Sequence, residues 1–161
     1  MSTRTDSGGH DPVIESRDQL IAAFAKGAKP KDRWRIGTEH EKFVYSTKDH
    51  HAPAYEEKGG IHTLLIGLTR YGWSPVFEGE NIIALSGADG TISLEPAGQL
   101  ELSGAPLDNL HQTCAETGRH LEQVKYVGDM RGLGFLGLGM WPDKTRAELP
   151  SMPKGRYDIM L

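Results

Sequence analysis

The sequence predicts an α+β fold, in which helices flank an antiparallel sheet, and three observations support this. Short strand-like segments follow one another between residues 74 and 103, and turn-forming residues separate them. Asp89-Gly90, between two of these segments, is a strong hairpin signal. Longer segments with helical spacing of apolar residues precede and follow this region. Hairpin-connected strands beside such helices are typical of α+β proteins.

Three helices are predicted from apolar spacing and end signals. The first begins at Ser16, because Gln19 completes a capping-box pattern, and it ends at Gly27. The second runs from about residue 61 to residue 71, and the third from residue 107 to about residue 127. We expect the apolar stripe of the third helix to cover the apolar side of the sheet, with its cysteine as a buried core thiol. The stripe comprises Leu107, Leu110, Cys114, Leu121 and Val124.

Six strand segments are predicted from β-branched, aromatic and alternating residues. The first runs from Trp34 to Tyr45. The others are, in chain order, SPVFE, NIIALS, TISLE, QLELS and GFLGLGMW. The polar residues 1–15 are predicted to form a flexible N-terminal tail ahead of one folded portion, residues 16–161.

The composition limits which class of protein this is and which partners it has. The chain has 161 residues, of which 37% are apolar and 25% charged, as is usual for a globular domain with a core. Acidic residues outnumber basic ones by 22 to 18, and no block of Lys or Arg suggests a nucleic-acid partner. The longest apolar run is too short to span a bilayer, so no membrane partner is expected. Cys114 is the only cysteine, which excludes an intramolecular disulfide. Together with a polar start unlike a signal peptide, it favours the cytoplasm.

Glutamates recur with strand spacing in two segments. Glu39 and Glu41 lie two residues apart in the first strand and therefore share one face. Glu95, Gln99 and Glu101 share a face in the same way if their segment is extended throughout. Glutamate is a poor strand former. Its recurrence in two strands therefore indicates a specialised face, although a face that simply meets solvent stays a possible interpretation.

Convergence of the four carboxylates would require a counter-charge. Two carboxylates about 5 Å apart repel by roughly 3 kcal/mol at an effective dielectric constant of about 20. A divalent cation removes this conflict, and oxygen ligands without cysteine favour Mg²⁺ or Mn²⁺ over Zn²⁺. Such a metal leaves positions for water and nucleotide phosphates, so the pattern predicts a site of phosphoryl transfer. The predicted metal ligands are Glu39, Glu41, Glu95 and Glu101.

Other patterns do not predict sites. His40-Glu41 lacks the second histidine of a zinc-protease helix, because Val44 occupies that position. Gly132, Gly134 and Gly137 spell G-x-G-x-x-G, but a helix precedes them where a dinucleotide site needs a strand. We expect these glycines to let another backbone or a ligand approach closely. Surface positions are expected for three further histidines, His50, His51 and His62.

Several segments give the sequence a family resemblance. They are, in order, IGTEHEKF, YGWSPVFEGENIIAL, ISLEPAGQLELSGAPL, the LH and HL pairs of the long helix, and MPKGRYDIM. They resemble glutamate–cysteine ligase of the plant and proteobacterial type from about residue 16 to residue 160. GTEHEKF and LEP-x-GQ-x-ELSGAP are the specific stretches. The family's catalytic chains are much longer, so residues 16–161 resemble the N-terminal part of such a catalytic domain.

The resemblance implies an ATP-dependent ligation, the first step of glutathione synthesis. ATP phosphorylates the γ-carboxylate of L-glutamate, and the amine of L-cysteine then displaces phosphate. The resemblance also implies a glutamine-synthetase-like fold, whose curved antiparallel sheet presents acidic side chains to Mg²⁺ and ATP. On this basis the four glutamates hold Mg²⁺, and Gln99 binds a substrate amino or carboxylate group. Arg156 is the predicted catalytic residue, which meets a carboxylate or phosphate bidentately, with a surface loop arginine as the alternative.

Two departures from the family leave alternatives open. The family usually has glycine where this chain has Ala97, and a positive φ there would strain alanine by roughly 1 kcal/mol or more. The chain is also short, which allows a non-catalytic fragment that binds Mg²⁺ or glutamate, and an open sheet edge would favour self-association. A related carboxylate–amine ligase with another amine acceptor is a third interpretation.

Overall fold

The computed structural model describes residues 13–88 and 90–160, and the chain divides into two compact units, up to Arg35 and from Ile36 onward. In the first unit, helix α1 spans Arg17–Gly27. Ser16 Oγ accepts a hydrogen bond from the Gln19 backbone N–H at 3.3 Å, and the Gln19 side chain accepts one from the Ser16 backbone N–H. The predicted capping box is confirmed. Most of the predicted tail, residues 1–12, lies outside the described residues, and the predicted boundary at residue 16 stays a prediction.

The second unit contains a six-stranded sheet in which every neighbouring pair is antiparallel. Its spatial order is β2-β3-β4-β5-β1-β6. The α+β class is therefore confirmed, with helices beside an antiparallel sheet. The strands are β1 (Glu39–Ser46), β2 (Ser74–Glu78), β3 (Asn81–Ser86), β4 (Thr91–Leu94), β5 (Leu100–Ser103) and β6 (Leu133–Leu136). The helices of this unit are α2 (Ile61–Leu68), α3 (Leu110–Asp129) and α4 (Arg156–Met160).

The predicted starts of β1 and α3 are both wrong, and one contact explains the two errors. Ile36 and Leu107 form an isolated antiparallel bridge through two backbone hydrogen bonds of 2.7 and 2.8 Å. Leu107 is therefore extended, and α3 begins only after Asn109, whose side chain caps the Gln112 N–H at 3.1 Å. The hairpin between β3 and β4 is confirmed by their pairing, although Asp89 of the predicted turn lies outside the described residues.

Of the predicted apolar stripe, only Val124 belongs to the buried face of α3. Leu110 is 68% exposed, and Cys114 is exposed as well, so the prediction of a buried core thiol is wrong. The helix instead contacts β6 and α2. A Cβ added at Gly128 would lie 2.6 Å from the Phe135 ring, so glycine permits this close approach. The buried residues of α3 are His120, Val124, Val127 and Gly128.

The hydrophobic core of the second unit lies between the helices of that unit and one side of the sheet. The apolar stripe of α2 is buried, as predicted, and the helix continues in a short 3₁₀ turn that ends at Gly72 with φ of +89°. The opposite wall comes from alternate residues of the strands, including Val44, Ile92 and Leu100, each with no exposed surface. Among the described helices, none is long and apolar enough to cross a membrane.

The 3₁₀ turn Pro96–Gly98 joins β4 to β5 and contains a conformation that alanine seldom adopts. Ala97 has φ of 61° and ψ of 22°, and Gly98 follows with φ of 75°. The sequence-based concern about Ala97 is confirmed, because its Cβ disfavours this left-handed region by roughly 1–2 kcal/mol. The turn brings Gln99 back beside β4, where Glu95 N–H donates to the Gln99 carbonyl at 2.7 Å.

Candidate functional site

The register of three adjacent strands places acidic residues on one side of the sheet. Glu41 of β1 lies opposite Glu101 of β5, which in turn lies opposite Ser93 of β4. Glu39 lies two residues before Glu41 and opposite Ser103. Directly opposite residues and residues two apart share a face. These residues therefore form one surface, here called the acidic face, which lies opposite the hydrophobic core.

Burial differs along the acidic face. Glu101 is only 2% exposed and accepts a hydrogen bond from Ser103 Oγ at 2.8 Å. Glu41 is exposed and accepts one from Gln99 Nε2 at 3.1 Å. The structure therefore brings the predicted substrate-binding residue, Gln99, to the predicted metal ligands. Glu39 is exposed. The interpretation that the glutamates simply meet solvent therefore holds for that end of β1 but not for Glu101.

Glu95 continues the acidic face just after β4 and is held by several donors. Its carboxylate is 2.5 Å from Arg156 Nη2, and it accepts the Tyr157 hydroxyl at 3.1 Å. Lys154 Nζ lies 3.5 Å away, and Ser93 Oγ donates at 3.3 Å. The carboxylate is thus buried between two cations. Glu95, Lys154, Arg156 and Tyr157 are here called the Glu95 cluster.

The protonation of this cluster follows from its burial. Burial lowers the pKa of Lys154, and the negative charge of Glu95 opposes that change. Burial raises the pKa of the Tyr157 hydroxyl well above its ordinary value, which keeps it a neutral donor to Glu95 and to the Leu94 carbonyl. The Arg156 side chain is 33% exposed. Arg156 can therefore contact a ligand while Glu95 fixes its position.

A second ionisable group lies on the core side of the sheet, behind the acidic face. Lys42 is 1% exposed, and its Nζ contacts His120 Nε2 at 2.8 Å and donates to the His40 carbonyl at 2.9 Å. Burial lowers the pKa of Lys42 to about 8, although the charges of Glu101 and Glu41 oppose this shift. Lys42 thus supplies positive potential beneath the carboxylate pair.

The residues present fit Mg²⁺ only in part. Within the described ranges, no three His, Cys, Asp or Glu side chains lie close enough to form a ready-made metal site. Mg²⁺, however, often uses one or two carboxylates together with water and substrate phosphates. Glu41 and Glu101 fit that pattern, because like charges in directly opposite positions are destabilising without a counter-ion. Glu95 fits it less well, because Arg156 and Tyr157 contact its Oε2 and Ser93 and Lys154 contact its Oε1.

Sequence reasoning missed Lys42, Lys154 and Tyr157. Two of them, Lys154 and Tyr157, lie beside Arg156 in MPKGRYDIM, but no sequence signal shows that this segment contacts Glu95. Lys42 did carry a signal, since strand alternation places it on the same side as Val44. An inward-facing charge on a strand needs a buried partner, and here that partner is His120.

The fold and the site define an α+β protein with a carboxylate-lined sheet face anchored by basic residues. The chain belongs to the glutamate–cysteine ligase family, because the family model described as glutamate-cysteine ligase family 2 (GCS2) matches residues 35–161. The predicted family is confirmed.

Similar relatives include the chloroplastic glutamate–cysteine ligases of Medicago truncatula and Arabidopsis thaliana, each 52% identical over 146 residues. Glutamate–cysteine ligase A of Oryza sativa subsp. japonica, also chloroplastic, is 49% identical over 146 residues. Each match covers 90% of this chain but only 28%, 27% and 29% of the respective relatives. The chain therefore spans little more than a quarter of the length of these relatives.

The comparisons also correct one expectation. The relatives are named as chloroplastic proteins, and the prediction of a cytoplasmic location is wrong on this evidence. It depended on a lone cysteine and a polar start. A lone cysteine indicates a reducing environment at most and does not distinguish one such compartment from another.

Proposed function

We propose that the acidic face binds substrates and Mg²⁺ for the ATP-dependent ligation of L-glutamate to L-cysteine, the first step of glutathione synthesis. Family membership and the names of the relatives support this proposal. Because the chain spans 28% of the Medicago relative, the proposal concerns an enzyme of the relatives' length. The contribution of this chain is the acidic face.

The observation that carries the proposal is the direct pairing of Glu41 with Glu101 across β1 and β5. These two carboxylates would hold Mg²⁺, with Glu39 and Glu95 contributing at the margins through water. Bound Mg²⁺ would neutralise charge on the ATP phosphates during transfer. Lys42, buried behind the pair, limits the mutual repulsion of the carboxylates when no cation is bound.

Arg156 is the proposed catalytic cation. Its guanidinium is fixed by Glu95 and partly exposed, so it can bind a carboxylate of L-glutamate or a transferring phosphoryl group. Gln99 carries both a donor and an acceptor and would contact the amino or carboxylate group of a substrate. Lys154 and Tyr157 act on Glu95 and are positioning residues.

The proposed reaction has two steps. An oxygen of the γ-carboxylate of L-glutamate attacks the terminal phosphorus of ATP, and the bond from that phosphorus to ADP breaks. The amine of L-cysteine then attacks the acyl carbon of the γ-glutamyl phosphate, phosphate leaves, and the nitrogen loses a proton to form the amide. Holding the reactants against fixed charges is the main task of a protein in phosphoryl transfer.

This chain covers little more than a quarter of the relatives' length. That small share favours a second candidate function for the chain by itself. It would bind Mg²⁺ or glutamate without turnover, because the proposed transfer also needs cations placed around the moving phosphate. We expect the 161-residue chain to turn over far more slowly than an ordinary enzyme, which works at roughly 1 per second or faster. A phosphate-release assay with ATP, glutamate and cysteine measures this directly.

The metal site is tested by Mn²⁺ titration of the purified chain, read by the electron paramagnetic resonance of free Mn²⁺, with and without ADP. Glu41→Gln and Glu101→Gln should each weaken Mn²⁺ binding by about tenfold or more, which is about 1.4 kcal/mol. Glu122→Gln, on the exposed side of α3, is the matched control and should bind like the unchanged chain. Equal Mn²⁺ affinity in all four proteins would refute the proposed metal site.

A further inference from the structure

A cavity of about 280 Å³ lies beside α3, away from the proposed metal and substrate residues. Its lining includes Leu102 of β5 and, from α3, Glu116, Arg119 and His120. Leu102 faces away from Glu101, because successive side chains of a strand point to opposite faces. The cavity, here called the α3 cavity, therefore lies on the other side of the sheet from the acidic face.

Two opposite charges border the α3 cavity without forming an ion pair with each other. Glu116 and Arg119 lie three residues apart on α3, and residues with this spacing are neighbours on a helix, with about 5–6 Å between their Cβ atoms. Glu116 Oε1 accepts the Ala105 backbone N–H at 2.8 Å, which fixes the carboxylate. Arg119 is exposed and has no ion-pair partner among the described residues. A ligand between them can meet a negative and a positive charge at once.

Two buried atoms of residues that line the α3 cavity also lack a hydrogen-bond partner within the described part of the chain. They are Glu116 Oε2 and His120 Nδ1, and His120 is only 3% exposed. Lys42 Nζ donates to His120 Nε2 at 2.8 Å, so the neutral ring carries its proton on Nδ1 and is a donor there. Buried polar groups are nearly always hydrogen-bonded. This wall therefore calls for a ligand that brings both a donor and an acceptor.

We infer that the α3 cavity binds a free α-amino acid with a small apolar side chain. The ammonium group of the ligand donates to Glu116, and its carboxylate accepts from Arg119 and from His120 Nδ1–H. Trp73 and Leu102 supply an apolar wall for the side chain. A simple anion would be repelled by Glu116 and a simple cation by Arg119, so a ligand with one charge of each sign fits best. The volume is just below the usual range of about 300–1,000 Å³ for ligand cavities, which limits the side chain to a few carbon atoms.

The bound amino acid is a second ligand and not a reactant of the proposed ligation. The sheet separates the α3 cavity from Glu41 and Glu101, so the carboxylate of this ligand cannot reach the proposed metal. Lys42 links the two sites, because it contacts His120 and lies behind the carboxylate pair. The inference thus adds a binding site on the helix side of the sheet.

The inference is tested by heteronuclear NMR titration of the chain with L-valine, followed at the indole N–H signals of the tryptophans. Trp73 Nε1 donates to Gln123 Oε1 at 3.0 Å, and both residues line the α3 cavity. The Trp73 signal should shift, whereas Trp34 and Trp141, outside the cavity, are internal references. Isobutylamine lacks the carboxylate of valine and isovalerate lacks its amine, so each should bind more weakly by about tenfold or more.

Two variants assign the two charges separately. Arg119→Gln removes the partner of the carboxylate and Glu116→Gln that of the ammonium group, so each should weaken valine binding by about tenfold or more. Arg119→Gln should not weaken the binding of isobutylamine, and Glu116→Gln should not weaken that of isovalerate. Glu122→Gln and Lys125→Gln, at exposed positions of α3, are the matched controls and should bind valine normally.

The outcomes that would overturn the inference are distinct from those that test the metal site. An unchanged Trp73 signal at roughly 20 mM valine, well above the usual constants of small ligands, would show that solvent alone fills the cavity. Equal affinity for valine, isobutylamine and isovalerate would refute a ligand with two charges. Glu41→Gln should leave valine binding unchanged, and a loss of binding there would place valine at the acidic face instead. If Glu116→Gln fails to fold, Arg119→Gln, at an exposed position, decides the matter: unchanged valine affinity would refute the site.

Discussion

Lys42 Nζ lies 2.8 Å from His120 Nε2 in a buried contact between β1 and α3. Burial lowers the pKa of His120 to about 3, with smaller contributions in the same direction from the charges of the neighbouring Lys42 and His40. His120 is therefore a neutral acceptor for the lysine at ordinary pH. The contact puts a base with a strongly lowered pKa into the core of the second unit.

Stability should fall as the pH drops through the range set by His120. In the unfolded chain its pKa is near 6.5, whereas in the folded protein it is about 3. The unfolded state thus binds the proton first, and the free energy of unfolding decreases between pH 6.5 and 3. His120→Gln keeps an acceptor for Lys42 and should remove on the order of 1–3 kcal/mol of this decrease. Urea unfolding at several pH values measures the effect.

The control for this prediction is His111→Gln, at an exposed histidine of the same helix. It should leave the pH dependence unchanged. Lys42 makes the free energy of unfolding depend on pH in a second range. Between about pH 8 and 10.5 the unfolded chain keeps a proton on Lys42 that the folded protein has lost. Stability should therefore rise with pH in that range. A flat profile in both ranges would contradict the buried contact.

Ala97→Gly should stabilise the protein. Ala97 has φ of 61°, and removing its Cβ relieves roughly 1–2 kcal/mol of backbone strain. Glycine also gives the unfolded chain more conformational freedom, which offsets about 0.4–1 kcal/mol of that gain. The net gain is about 0.5–1 kcal/mol, or a rise in Tm of roughly 1–4 °C. Gly98→Ala is the matched change in the opposite direction, because Gly98 has φ of 75° and an added Cβ would lie 3.1 Å from Ile61. Calorimetry of both variants checks the pair, and a lower Tm for Ala97→Gly would count against the strain.

Much of the fold could be predicted from local sequence signals. The capping box at Ser16, the stripe of α2 and the hairpin strands β2 to β5 depend on neighbouring residues only, and all were predicted correctly. The starts of β1 and α3 could not be predicted in this way. They depend on the bridge between Ile36 and Leu107, a contact between residues far apart in sequence.

The candidate site could be predicted only in part, because it also depends on contacts between residues far apart in sequence. Strand alternation placed Glu39 and Glu41 on one face, but only the register reveals that Glu41 lies opposite Glu101. The partners of Glu95 come from a segment about 60 residues away. No periodicity in the sequence links such distant residues, so the Glu95 cluster required the structure.

Cys114 should react rapidly with a thiol reagent in the native protein. Its side chain is exposed on α3, so the rate of labelling should approach that of the urea-unfolded chain. Cys114→Ser should change the free energy of unfolding by less than about 0.5 kcal/mol, as is usual for a surface position. The helical spacing suggested a buried thiol because apolar residues were counted, whereas the buried face of α3 includes His120 and Gly128. Slow labelling of the native chain would restore the original prediction.

Tyr157 and Glu95 should be energetically coupled. Tyr157→Phe removes the hydroxyl that donates to Glu95 and to the Leu94 carbonyl, which should cost about 1–2 kcal/mol of stability. Glu95→Gln leaves two cations beside an uncharged partner and should cost about 2–4 kcal/mol. The double variant should lose less than the sum, with a coupling of about 1 kcal/mol, because both changes remove the same hydrogen bond. Tyr126→Phe, at a half-exposed tyrosine of α3, should change stability by less than about 0.5 kcal/mol. Urea unfolding of the four proteins of the cycle measures the coupling, and strictly additive losses would show that the hydroxyl does not hold the Glu95 carboxylate in place.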